Sequence, residues 1–322
     1  MTRTIPLRTV LGTLSLLLAL MTGCTTRESL TETHGEANGD SGFPAVADNG
    51  AFLAFQSDAA DVVPGDTNGA TDVFVRDRRG TPAFSTRRVS VASDGTQADG
   101  PSRRPSISDD GARVAFVSEA TNLAPGDTNG AADVFVHDLL TGTTTRVSVA
   151  TDGTQADGEA YPEVALSRDG TTVAFTSDAT NLVPGLEGEV TRVFVRRLDT
   201  GTTEVVSVPD GGGSADGDCG EPAVSETGRY VAFVCEATNL VPGDTNDVPD
   251  VFRRDRQTGR TERVSLGADD AEANGPAGEP ALSRNGLLVA FASLADNLLG
   301  AQSGDANGTW DVFARLQLAP SP

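Results

Sequence analysis

The chain has 322 residues and a formal net charge of −22, from 24 basic and 46 acidic side chains. All the basic residues are arginine, and a surface this acidic repels polyanions, which excludes nucleic acid and anionic lipid as partners of the folded face. The length suits one large domain or two of ordinary size.

At the N-terminus, Arg3 and Arg8 precede an apolar run from about Val10 to Met21, the layout of a secretory signal peptide over residues 1–23 and too short for a membrane span. Thr22 and Gly23 directly before Cys24 resemble the lipobox of bacterial lipoproteins, with Met21 where leucine is usual. That resemblance implies acylation of Cys24 and an exported chain on the periplasmic or extracellular side, touching the membrane only through its anchor. Without residues 1–23, which hold two arginines and no acid, 22 basic side chains face 46 acidic ones, a net charge of −24.

From residue 41 onward the chain repeats. The dipeptide Ala-Phe recurs at residues 54, 115, 174, 232 and 290, spaced 61, 59, 58 and 58. Each unit reads as an apolar strand ("RPSIS", 104–108), a Gly-containing turn and a buried strand ("RVAFVS", 113–118). A long loop, a third strand ("DVFVHD", 133–138), a "TG" turn and a fourth strand ("TRVSV", 145–149) follow. Four strands at a fixed period predict the blades of a β-propeller. The last unit stops after a third strand at 311–315, and "TRESLTETHGEANG" (26–39) matches a fourth strand and its loop: Ser29 to Asn38 spans nine residues, as Ser90 to Asp99 and Ser148 to Asp157 do. The expectation is an all-β, five-bladed propeller as a single domain over 24–322. Its repeats run about 41–100, 101–158, 159–217, 218–275 and 276–316, with residues 26–31 as the strand that completes the last blade and removes its exposed edge.

The combined motif "NLVPGDTNG…DVFVRD…TGTTTRVSV…PSISDDGARVAFVS" resembles the WD40-like, TolB-like (PD40-type) propeller repeats of bacterial envelope proteins, over nearly the whole mature chain. Such propellers serve as binding platforms, peptidase accessory domains and enzymes, so the resemblance implies the architecture and leaves the activity open.

Ten of the thirteen phenylalanines occupy two repeat positions, on the second strand (55, 116, 175, 233, 291) and the third (74, 135, 194, 252, 313), as core residues of middle strands. In a propeller, chain direction alternates along each blade. The long loops after the second and fourth strands therefore share one face, here acid-rich, and the short turns share the other. On the acid-rich face the motif DxNGxxD, with Asp247 in place of the glycine in one copy, places Asp66, Asn68, Asp72; Asp127, Asn129, Asp133; Asp244, Asn246, Asp250; and Asp305, Asn307, Asp311 at the first, third and seventh positions of an EF-hand-like loop. Two readings stand: oxygen ligands for calcium, or Asx-turns that order a long loop. Asp77, Asp138 and Asp255 at position twelve cannot join a cluster, because five strand residues carry them about 17 Å away. The third unit has Leu186, Gly188 and Arg192 at these places, a cation where the others carry an acid.

First strands line the channel of a propeller, and the residue expected to open each is Phe43, Arg104, Glu163, Glu221 or Glu279. Arg104 with the three glutamates forms a candidate ligand site for a cation, sugar or peptide terminus, and two carboxylates are the minimum for glycoside hydrolysis. His34 and His137 are the only histidines, His137 reads as a surface residue, and no GxSxG elbow, P-loop or cysteine nucleophile motif occurs. Cys219 and Cys235 lie equidistant from Thr227 in a hairpin turn, which places them opposite each other and predicts a disulfide. The functional expectation is a monomeric, non-catalytic platform for a protein or glycan, with no required cofactor and calcium as a brace of the loops. The alternative is a glycosidase-like enzyme at the channel mouth.

Overall fold

Each unit folds as an antiparallel meander because apolar β-branched and aromatic residues recur between turns that supply glycine at positive φ, as at Gly111, Gly142 and Gly170. The computed structural model describes residues 25–48, 50–79, 85–299 and 307–317. Residues 1–23, Cys24 and Asp305 lie outside them.

The first sheet joins β1 (Ser41–Val46), β2 (Phe52–Ser57), β3 (Asp72–Asp77) and β4 (Ser85–Arg88). The second joins β5 (Ser102–Ile107), β6 (Arg113–Ser118), β7 (Asp133–Asp138) and β8 (Thr143–Arg146). The third is β9 (Ala160–Leu166), β10 (Thr172–Ser177), β11 (Arg192–Arg197) and β12 (Thr202–Val205), and the fourth is β13 (Cys219–Val224), β14 (Tyr230–Cys235), β15 (Asp250–Asp255) and β16 (Arg260–Arg263). The last has three strands, β17 (Ala277–Leu282), β18 (Leu288–Ser293) and β19 (Asp311–Leu316). Five sheets of one strand order fit a propeller.

The two phenylalanine columns meet across the middle ladder of every sheet, Phe55 opposite Phe74 and so on to Phe291 opposite Phe313, with ring centroids 5.7–6.0 Å apart. Burying each ring contributes roughly 1.5–3 kcal/mol. Consecutive sheets pack face to face: Val134 and Val136 of β7 share a core with Leu166 and Phe175 of the next sheet. On the short-turn side the turns after the first strands converge. Arg284 meets Asp48 (2.5 Å), Asp109 (3.0 Å) and Glu226 (3.0 Å), and Arg168 meets Asp109 (3.2 Å). These contacts tie the last sheet to the first, second and fourth.

Three expectations are corrected. Fourth strands end earlier than expected, at Arg146 rather than Val149, because Ser148 leaves the ladder to accept a hydrogen bond from the Val134 amide and donate one to Asp133. Residues 26–31 form no strand beside β19. Glu28 stands where the other units carry the fully buried Val89, Val147, Val206 and Val264, and it turns to Arg76 and Arg78 instead. The loop that follows does dock on the first sheet, where Asn38 and residues 60–61 exchange hydrogen bonds as Asp99 does with residues 121–122. His137 is not on the surface: it is 6% exposed, and its Nδ1 lies 2.9 Å from Thr144 Oγ1. Its column is an inter-sheet position, since the equivalent Arg196 and Arg254 donate to carbonyls of the preceding unit, Ala150 and Val208.

The glycine closing each "ADG" or "ANG" loop is explained by a backbone approach. A Cβ on Gly217 would lie 2.8 Å from the Ala237 nitrogen, and one on Gly158 2.7 Å from that of Ala179. Gly217→Ala is therefore expected to cost about 1–3 kcal/mol in urea unfolding, and an unchanged midpoint would contradict this packing.

Candidate functional site

The long loops are organised by an aspartate that opens the third strand and is buried there. Asp72 accepts a hydrogen bond from Ser90 Oγ (2.5 Å) and from Asn68 Nδ2 (3.2 Å), and Arg88 at the end of β4 reaches both Asp66 (3.2 Å) and Asp72 (3.3 Å). The second sheet repeats this with Arg146 on Asp127 (3.3 Å) and Asp133 (3.2 Å). In the fourth, Arg263 meets Asp244 (3.3 Å), Asp250 (3.1 Å) and Glu272 (2.7 Å), and Asn246 donates to Asp250. The paired carboxylates are thus brought together, and a guanidinium sits between them. Asp77, Asp138 and Asp255 end the same strands at the opposite edge, on Arg79, Arg113 and Arg229.

In the third unit the cation comes from another strand. Val205 replaces the fourth-strand arginine, and Arg192, 1% exposed, donates to the carbonyls of Val190 (2.9 Å), Gly188 (2.8 Å) and Glu187. In the last unit Asn307 Nδ2 donates to Asp311 (3.0 Å), while Arg27, the counterpart of Arg88, pairs with Glu36 (2.6 Å). Among the described residues no group of three or more His, Cys, Asp or Glu side chains is arranged to hold a metal ion.

Burial raises the Asp72 and Asp133 carboxyls, opposed by Ser90 and Arg88 at the first and by Ser148 and Arg146 at the second. Burial also pushes Asp244 up to about 6, against the pull of Arg263. At Glu272 burial is overcome by the Thr245 amide and the Arg263 guanidinium, which together hold it down to about 2.

Where the first strands converge, Phe43, Arg104, Glu163, Glu221 and Glu279 surround one opening of about 540 Å³, the expected channel mouth. They do not open their strands, which begin two or three residues earlier. Each first strand carries a β-bulge that inserts extra residues against its neighbour, and Phe43, Arg104, Glu221 and Glu279 adopt φ of 50–54°. The bulge aims these side chains into the opening, at a conformational cost for residues that are not glycine. Arg104 stacks on Phe43 at 4.1 Å and makes no ion pair with the glutamates, and the Glu279 amide donates to Glu221 Oε2 (2.8 Å). Cys219 and Cys235 face each other across β13 and β14 and are joined as a disulfide beside this opening.

Residue-type motifs alone missed two features. The arginines facing the loop aspartates lie 13–22 residues after them, at the end of the fourth strand, where "RRVS", "TRVS" and "ERVS" in three units contrast with "EVVS" in the third. The charged turns at 48, 109, 168, 226 and 284 keep the spacing of the Ala-Phe dipeptides, so aligning the units column by column exposes both.

No family model matches the sequence, and no curated protein matches it either. The chain is similar in fold to TolB. TolB from Acinetobacter baumannii has 18% identity and a TM-score of 0.44 over 83% of this chain and 56% of its own. A TolB from Agrobacterium tumefaciens has 15% and 0.49 over 86% and 82%. An oligogalacturonate lyase solved with manganese has 14% and 0.48 over 78% and 58%. The chain thus spans little more than half of two of these three.

Removing the Arg263 guanidinium leaves Asp244, Asp250 and Glu272 crowded and partly desolvated. Arg263→Met is expected to cost about 3 kcal/mol at pH 7. Without the arginine the burial that already raises Asp244 to about 6 acts unopposed, so the native variant takes up a proton there and the cost shrinks towards pH 5. Urea unfolding at the two pH values measures this, and a cost that grows on acidification would contradict it.

Proposed function

We propose that the protein is a non-catalytic binding platform of the cell envelope, a five-bladed propeller whose long-loop face offers its channel mouth to a protein or glycan. The observation that carries this is the bulge in every first strand, which turns Phe43, Arg104, Glu163, Glu221 and Glu279 onto one opening although backbone strain opposes it at four of them. A ring is supported by the pairing of Arg284 with Asp48, which links the last sheet to the first. Val312 of β19 is 81% exposed where its counterparts Val73, Val134, Val193 and Val251 are buried, and it marks the surface that the first sheet would cover in a closed ring. Export through residues 1–23 and an anchor at Cys24 put the short-turn face towards the membrane and the platform outward.

In this reading the loop carboxylates of Asp66, Asp72, Asp127, Asp133, Asp244 and Asp250 are braced by arginine, with calcium not required. The platform acts as a monomer. A second reading, a glycosidase-like enzyme, is favoured by the presence of Glu163, Glu221 and Glu279 at the same opening.

The two readings separate in one comparison. Against a panel of envelope glycans and an envelope extract, the wild-type protein should capture a partner without cleaving any glycan, and Arg104→Ala should weaken capture at least tenfold. Cleavage that disappears in Glu163→Gln, Glu221→Gln and Glu279→Gln would overturn the platform reading.

A further inference from the structure

Beside the channel mouth, on the long-loop face, a second crevice of about 590 Å³ opens between the third, fourth and last sheets. Its rim carries Tyr161 and Trp310, the latter half exposed and the single tryptophan of the chain, with Pro249 and Pro276 as apolar walls. Glu163, Asp218, Glu221 and Glu236 line it too. Elsewhere the acids that gather in this fold are matched by arginine, in the loops by Arg88, Arg146 and Arg263 and at the short turns by Arg168 and Arg284. Among the described residues none of these four makes an ion pair. Asp218 accepts hydrogen bonds from the Thr191 amide (2.7 Å) and hydroxyl (3.1 Å) and feels the charge of buried Arg192, and Glu221 accepts the Glu279 amide.

The crevice wall holds a polar group with no use in the fold. Thr176 lines it at 4% exposure, and its hydroxyl has no hydrogen-bond partner among the described residues, a state that buried hydroxyls seldom keep. Its counterparts in the other units are Gln56, Val117, Val234 and Ala292, so the repeat does not call for a hydroxyl here. Gly220 and Gly278 keep the space open: a Cβ on the first would lie 3.6 Å from the Thr176 hydroxyl, and one on the second 3.6 Å from Glu221 Oε2.

Unpaired carboxylates supply charge, aromatic faces attract cations, and a free hydroxyl oxygen accepts an N–H. We propose that this crevice binds an organic cation, the alkylammonium or guanidinium group that a polyamine or a Lys- or Arg-containing peptide carries. The proposal rests on the long-loop face being a binding surface and adds the class of ligand that one part of it takes.

Trp310 makes the site directly readable, since fluorescence excited at 295 nm reports this rim alone. At constant ionic strength the protein is titrated with spermidine, with acetyl-Gly-Lys-Gly-amide, with acetyl-Gly-Arg-Gly-amide and with calcium chloride. A saturable change is expected with at least one organic cation and not with calcium; response to spermidine alone assigns a free polyamine, and response to a peptide assigns a peptide side chain. Asp218→Asn with Glu236→Gln should weaken it at least tenfold, and Thr176→Val, which keeps shape and charge, several-fold. The absence of a saturable response, an equal response to calcium, or affinity unchanged in both variants overturns the proposal. If a partner is still captured in an envelope pull-down by the variants and by the wild type, only this inference falls and the platform stands.

Discussion

The long-loop face depends on a carboxylate buried at the head of the third strand in the first, second and fourth sheets. Such a group is destabilising unless charge and hydrogen bonds travel with it. In the first, second and fourth sheets they arrive together from the fourth strand: an arginine, Arg88, Arg146 or Arg263, and two residues later a serine, Ser90, Ser148 or Ser265, that donates to the aspartate. The "RVS" motif is therefore one half of a clamp whose other half is the aspartate of "DVF". Because the clamp joins the third strand to the fourth, it fixes where the long loop leaves the sheet, and with it the rim of the face.

The third unit tests that logic within the molecule. There the aspartate has become Arg192 and the arginine Val205, and the guanidinium turns to the loop carbonyls. One positive group per loop survives while its strand of origin changes, so the constraint is on the charge and not on the residue. Charge also decides the N-terminal segment. Glu28 in place of a buried valine favours Arg76 and Arg78 over a dry ladder position beside β19.

Much of the fold was legible before any coordinates. The bounds of β6 and β7 are those read from "RVAFVS" and "DVFVHD", and the phenylalanine columns stack across the ladder they were expected to fill. The channel mouth was legible as a set, Phe43 to Glu279, but not its bulge, because the first strands are short and rich in small and polar residues, so they carry no alternation from which an inserted residue could be read. The EF-hand-like pattern is local, whereas the partners that the structure gives Asp66 and Asp72, Arg88 and Ser90, lie beyond the loop that holds them. The crevice was out of reach altogether. Tyr161, Thr176 and Trp310 sit at different places in different units, and only the packing of three sheets brings them together.

The central claim is that guanidinium groups brace the loops without requiring a metal ion. Thermal unfolding of the chelated protein, repeated in millimolar calcium and paired with calorimetric titration, tests it most directly. The account predicts one melting temperature in both conditions and no saturable heat. A melting temperature that rises with calcium, together with saturable binding lost when Asp66 and Asp72 are replaced, would contradict it.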